Sequence, residues 1–163
     1  MEIIIIGIGQ SLRGDDGAGL AAVQLWRQTF PQSAGLPNVR AVLAELPGLS
    51  LLDQIAGTAA AIIVDAVVSG AQPGTIHIIS EADLATFESG SRSAHGMGVA
   101  ESIVLGRRVY LAEMPTDIIL IGIEASDFRL GADLSPEIRQ NLLLVAQSIE
   151  EQLQGLLNRE IRE

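Results

Sequence analysis

Ile3-Ile4-Ile5-Ile6-Gly7-Ile8-Gly9-Gln10-Ser11-Leu12-Arg13-Gly14-Asp15-Asp16-Gly17-Ala18-Gly19-Leu20 is the stretch whose reading decides the fold. Ile3 to Ile8 is a short β-branched run bounded by glycine, which predicts a buried strand. From Gly17 to Phe30 the apolar residues Leu20, Val23, Leu25 and Trp26 fall at helical spacing. A glycine-punctuated loop joins the two and carries an acid pair, Asp15 and Asp16, where the helix begins and where N-terminal capping favours acids. Strand, glycine loop and helix in that order open an α/β unit.

The remaining chain repeats the alternation. Asn38 to Glu45 reads as a second strand, Pro47-Gly48 as a turn and Leu49 to Ala56 as a short helix, after a loop over Pro31 to Pro37. Ala60 to Val68 is a third apolar run, broken by one charge, Asp65; Ser69 to Gly74 is a polar turn. Thr75 to Ser80 reads as a fourth strand containing His77. Glu81 to Gly98, rich in Ser, Gly and acid, reads as a loop that holds His95. A helix over Val99 to Tyr110, a fifth strand over Asp117 to Glu124, a loop over Ser126 to Ser135 and a closing helix from Pro136 to about Arg159, capped by Ser135, complete the pattern. The prediction is a three-layer α/β sandwich: a mostly parallel, twisted five-stranded sheet with helices on both faces.

At 163 residues the length suits one domain, 1–163. Apolar residues make up 48% of the chain and aromatics only 3%, so the core must be aliphatic, as buried parallel strands require. A net charge of −10 argues against nucleic acid as a partner, since no basic stripe exists to release phosphate counterions. There is no Cys, hence no disulfide, thiolate nucleophile or Cys-based metal site. No basic leader precedes Ile3 and no apolar run approaches the ~18 residues of a membrane helix, so cytoplasm is the expected location and no membrane partner is expected.

Polar chemistry must come from carboxylates, two His, hydroxyls, Arg or backbone, because the chain has no Lys either. If the first strand lies between the second and third, its loop and the end of the third strand border one crevice at the switch point of the sheet. Asp15, Asp16 and Asp65 then gather there, and the loop carrying His95 can reach the same rim. Each residue also has a structural reading. Asp15 and Asp16 serve as helix caps in the field of the helix dipole. Asp65 accepts backbone N–H bonds at a strand end. His95 is a surface residue, and His77 is an outward or satisfied sheet histidine. Glu124 helps a site or caps the next turn. Taken together, two carboxylates and an imidazole suit a divalent ion such as zinc, nickel, manganese or iron, and water on such an ion is a nucleophile near neutral pH. Dinucleotide, Walker, Gly-x-Ser-x-Gly and zincin patterns are absent.

Gly7-x-Gly9 followed by Leu12-x-x-Asp15-Asp16-Gly17-x-Gly19, then Val64-Asp65-Ala66, then Ser93-x-His95, resembles the hydrogenase maturation endopeptidases. Gly122-Ile123-Glu124, Gly131 and Leu134-Ser135-Pro136 extend the resemblance to the tail. It implies an α/β fold and a hydrolase, a metal-dependent or metal-recognising aspartate-type endopeptidase. It also implies a catalytic and metal-contacting triad of Asp16, Asp65 and His95. The implied substrate is the precursor of the large subunit of a nickel-containing hydrogenase, which presents the nickel itself and loses a C-terminal extension after nickel insertion. Gln10 stands where the family usually has Asn, Asp16 where many members have Glu, and Glu45-Leu46-Pro47-Gly48 where an Asp-Gly-Gly-Thr-like turn is common. Two rivals stand beside this reading. One is a non-catalytic nickel-binding or assembly module of the same fold. The other is a signalling receiver domain, which needs a Lys that this chain lacks.

Overall fold

The computed structural model describes residues 2–45, 48–89, 92–93 and 98–160. Five strands form its sheet in the order β2-β1-β3-β6-β4. They are β1 (Ile3–Ile8), β2 (Val39–Ala44), β3 (Ala60–Val68), β4 (Ile76–Ser80) and β6 (Asp117–Glu124), with a two-residue β5 (Arg92–Ser93) laddered antiparallel onto β3. β2, β1, β3 and β6 are parallel, and β4 closes one edge antiparallel to β6. The expected sandwich is therefore present, with β1 between β2 and β3. The bounds read for β1, β3 and β6 coincide with those observed. All six residues of β1 are buried, as an uninterrupted Ile run demands of a central parallel strand.

Helices cover both faces. α1 (Ala18–Thr29) and the long α6 (Pro136–Glu160) pack together on one. There Trp26, Val23, Val145, Ile149 and Leu153 meet Ile3, Ile5, Ile62, Val64 and Ile121. α3 (Ser50–Ile55), α4 (Glu81–Ser89) and α5 (Val99–Val109) cover the other, bringing Leu51, Ile55, Leu84 and Ile103 onto Ile4, Ile6, Ile63 and Leu120. Even and odd residues of each strand thus serve different cores, as period-two alternation requires. None of the described helices is long and apolar enough to cross a membrane.

Two segments read as loops are helical. Pro31–Ala34 forms a single turn, α2, with Pro31 at its first position, where a missing N–H costs nothing. α4 replaces the first half of the loop expected over Glu81 to Gly98. Only Leu84 and the half-buried Phe87 face its core, so the apolar periodicity was too sparse to register. Ser80-Glu81-Ala82-Asp83 did carry a start signal of the capping-box type, and Ser80 Oγ donates to Asp83 Oδ2 at 2.8 Å. In the turn expected at Pro47-Gly48, Pro47 lies outside the described residues.

The entry of α1 is wedged against the sheet. A Cβ on Gly19 would lie 2.3 Å from the Val64 carbonyl oxygen and 2.6 Å from that of Ile8. Helix propensity favours Gly→Ala by about 1 kcal/mol, but two strand carbonyls cannot move aside. Gly19→Ala is therefore expected to lower stability by about 2 kcal/mol, read from the midpoint of urea unfolding; a raised midpoint would show that the first turn has room.

Candidate functional site

Every parallel strand delivers its carboxyl end to the same rim, and the order reverses between β1 and β3, where doubly wound sheets open a crevice. The loop after β1 winds into a 3-10 turn, Gly14–Gly17, which places Asp15 and Asp16 inside the protein. Asp15 is fully buried. Its Oδ2 accepts the backbone N–H groups of Ser126 at 2.9 Å and Asp127 at 3.0 Å, and its Oδ1 accepts that of Ser135 at 2.7 Å. Burial alone raises its pKa. The backbone N–H groups of Ser135, Ser126 and Asp127 outweigh that and hold the carboxyl below its ordinary value of 3.8. The expected cap on α1 is thus corrected: no side chain caps α1, and Asp15 serves the start of α6 across the molecule. Ser135 occupies the expected position before Pro136, its carbonyl accepting from Arg139 N at 3.0 Å.

Main-chain bonds extend the seam between these two loops. Asp15 N donates to Asp127 O at 2.7 Å, Gly14 N to Ala132 O at 3.1 Å and Gly131 N to Leu12 O at 2.7 Å. The 3-10 turn that carries Asp16 packs against β3. Asp16 is 3% exposed, and its Oδ2 accepts Gln10 N at 3.1 Å. The chain leaving β1 passes so close that a Cβ on Gly9, at φ +150°, would lie 1.8 Å from the Asp16 carbonyl oxygen.

Asp65 is 2% exposed and pairs in register with Gly122 of β6. Alternation puts its side chain on the same face as Ile63, beneath the α3–α5 layer. The last β1–β3 pair is Gly7 with Val64, so Asp65 is the first β3 residue beyond it. The loop bearing Asp16 leaves from there, and β5 then takes over as the partner of β3, with Ser93 opposite Val67. His95, the third residue of the expected triad, lies outside the described residues. Among the described residues no group of three His, Asp or Glu is placed to hold a metal ion. Carboxylate oxygens are of the donor type that such an ion takes, so Asp16 and Asp65 fit it chemically.

His77 takes its structural alternative, whereas Glu124 caps the turn after β3 and not, as expected, the next turn along the chain. His77 Nε2 lies 3.1 Å from Glu124 Oε2, and its ring lies 5.1 Å from that of Phe87. Glu124 also accepts Ser69 N at 2.8 Å, Ser69 Oγ at 2.7 Å and Gly70 N at 3.1 Å, so it caps the turn after β3. Burial raises its pKa, and the bonds from Ser69, His77 and Gly70 overcome that and lower it. Sequence reasoning missed the reach of Asp15 to the loop after β6, because no local pattern reports a bond across more than a hundred residues.

With this geometry in place, the comparisons with known proteins are specific. The model of the hydrogenase maturation protease family matches residues 29–152. The matched stretch contains Asp65 and His95 and begins after Asp16. A hydrogenase expression/formation protein HupD from Thiocapsa roseopersicina is 30% identical over 145 residues, 86% of this chain and 62% of that protein. The chain thus spans about three-fifths of this relative's length. The hydrogenase 2 maturation protease of Escherichia coli is 27% identical over 85% of this chain and 82% of its own. Among solved structures, the hydrogenase maturating endopeptidase HybD from E. coli superposes with a TM-score of 0.80 at 22% identity, covering 95% of this chain and 93% of the other. The [NiFe] hydrogenase maturation protease HybD of Thermococcus kodakarensis gives 0.73 at 26%, covering 94% and 99%.

The Asp15 seam has a titration signature. Its folded-state pKa is depressed, so its stabilisation is complete above the unfolded-chain value and is lost as pH falls through the folded value. Asp15→Ala, which removes the acceptor of three backbone N–H groups, is expected to cost about 2–3 kcal/mol at pH 7. That gap should shrink as unfolding is measured at successively lower pH below about 4; a gap independent of pH would show that the charge is not what holds the seam.

Proposed function

This chain belongs to the hydrogenase maturation protease family, and from that premise we propose that it removes a C-terminal extension from the large-subunit precursor of a nickel-containing hydrogenase. The substrate presents its nickel to Asp16, Asp65 and His95, and the reaction takes place in the cytoplasm. The observation that carries the reading is the burial of two carboxylates, Asp16 and Asp65, on neighbouring carboxyl ends at the switch point of the sheet. Carboxylate oxygens are ligands that a divalent ion takes, and two of them at the same end of the sheet offer a pair to an ion arriving with the substrate. His95 follows Ser93 by two residues, and Ser93 ladders to Val67, itself two residues from Asp65. The chain is therefore short enough to bring an imidazole to the same rim.

Hydrolysis adds water across the scissile amide: the carbonyl carbon gains hydroxyl and the departing nitrogen a proton. The ion supplies Lewis acidity when present. The protein's share is orientation. Asp16 on the turn after β1 and Asp65 on β3 hold the cation between them, and the Asp15 seam keeps the first of them in place. A chain bound by its metal thus offers one peptide bond at a fixed position, and such positioning can supply several kcal/mol of the barrier reduction.

Purified chain incubated with nickel-loaded precursor is expected to shorten it, seen as loss of a C-terminal fragment by intact mass, and to leave nickel-free precursor whole. Asp16→Asn, Asp65→Asn and His95→Ala should each slow processing at least ~100-fold. Normal processing by His95→Ala overturns the triad. A wild-type chain that binds the precursor without shortening it would establish the non-catalytic assembly module instead.

A further inference from the structure

The two edges of the sheet are finished differently. On β2, the bonds from Ile3 N to Asn38 O and from Gly9 N to Ala44 O turn the even-numbered carbonyls towards β1 and leave Ala41 O pointing outward. Arg27 reaches over from α1 and donates to that carbonyl, so this edge is covered. β4, Ile76-His77-Ile78-Ile79-Ser80, pairs with β6 alone and has no proline, lysine or bulge to blunt it. Its register continues the pair formed where Glu124 N donates to Thr75 O at 2.9 Å. Antiparallel alternation then turns the N–H and C=O groups of Ile76, Ile78 and Ser80 away from β6. Among the described residues no strand takes up that row.

A groove of about 420 Å³ lies beside the same edge. Ile78, which is 47% exposed, and Ile119 form its apolar part. Both lie on the α6 face of the sheet, Ile78 opposite Ile121 and Ile119 opposite Ser80. α6 supplies the far wall through Gln152 and Arg159. Gly155 lies between these two on the same flank of the helix, and a Cβ there would meet no atom within 4 Å. Where β4 ends the groove turns acidic, with Glu81, Asp83 and Asp117 against the one guanidinium of Arg159. Asp117 pairs with Arg159 at 3.2 Å and Glu81 with Arg107 at 2.6 Å. Asp83 accepts the Ser80 hydroxyl and is in no ion pair among the described residues.

We propose that the β4 edge and this groove dock an extended segment of a partner protein, with apolar side chains at alternate positions and a basic side chain at the end that reaches Asp83. An open strand edge selects an extended chain, because its main-chain groups repeat at strand spacing. Every second side chain of an added strand falls on the α6 face, where Ile78 and Ile119 receive apolar groups. The carboxylate without an ion pair selects the cation. A second copy of this chain is disfavoured: it carries a net charge of −10, and its own Thr75 to Asp83 brings two acids and no Lys or Arg. The groove lies at the amino end of β6, opposite the rim of Asp16 and Asp65, so the contact stands apart from the processing reaction.

The test uses the full chain, isotope-labelled for NMR, and the peptide acetyl-Arg-Val-Thr-Val-Thr-Val-Arg-amide as probe. Binding with a Kd on the order of 100 µM is expected, with amide shifts confined to Ile76 to Ser80 and the flank from Gln152 to Arg159. The same peptide with glutamate at both ends should bind about tenfold more weakly. Ile78→Pro removes an outward N–H and leaves the ladder to β6 intact; it should weaken binding about tenfold. Gly155→Phe fills the groove from the helix and should do the same. Its new side chain starts in open space, so it keeps the test decisive if melting shows Ile78→Pro to be unfolded. No binding at millimolar peptide, shifts that map elsewhere, equal binding of the glutamate peptide, or unchanged affinity in Gly155→Phe overturns the inference. So does a dimer in sedimentation that Gly155→Phe dissolves, because the edge then serves a second copy of the chain.

Discussion

One buried carboxylate organises the working end of this protein. Asp15 has no access to water, so its charge must be balanced inside the fold. It is balanced by three backbone N–H groups of the loop between β6 and α6. Those groups are donors left over where a strand ends and a helix begins, so one side chain satisfies the orphans of two elements at once. The loop after β1 and the loop after β6 become a single rigid unit as a result. Asp16 follows Asp15 by one residue, and its placement against β3 is a consequence of that unit.

The second condition is topological. The order β2-β1-β3-β6-β4 leaves β1 and β3 adjacent while their continuations part. α1 turns back over one face with Gly19 pressed onto the carbonyls of Ile8 and Val64. β5 then claims the flank of β3 that β1 has vacated. Asp65 sits in the gap between those two partners, buried at the step where β3 changes its neighbour. The antiparallel β4 also separates this sheet from the all-parallel plan of a receiver domain.

Much of this was legible in the residues and part was not. β1, β3 and β6 are largely aliphatic runs buried on both faces, and such runs have sharp ends. Asp65 stood out because it broke one of them. α4 was hidden because its only apolar anchors are Leu84 and Phe87, although Ser80 and Asp83 marked its start. The role of Asp15 was hidden for a different reason. Its local context, an acid before a helix, fits a cap, and only the three-dimensional path of the loop after β6 diverts it to Ser126, Asp127 and Ser135. His77 resolves as a satisfied sheet histidine through Glu124, a partner on a neighbouring strand that no spacing rule names. The assignment of Asp16, Asp65 and His95 as a set came from the resemblance, and the fold accounts for the burial of the first two.

The central claim is that nickel carried by the precursor is gripped by Asp16, Asp65 and His95. Nickel-edge X-ray absorption reads this directly, comparing nickel-loaded precursor alone with the same precursor frozen on mixing with this chain. The account predicts added oxygen and nitrogen neighbours at about 2.0–2.1 Å, the range for carboxylate and imidazole bound to a first-row divalent ion. It also predicts that His95→Ala removes the nitrogen contribution. A nickel environment unchanged by the chain, under conditions where the two proteins are bound, would contradict it.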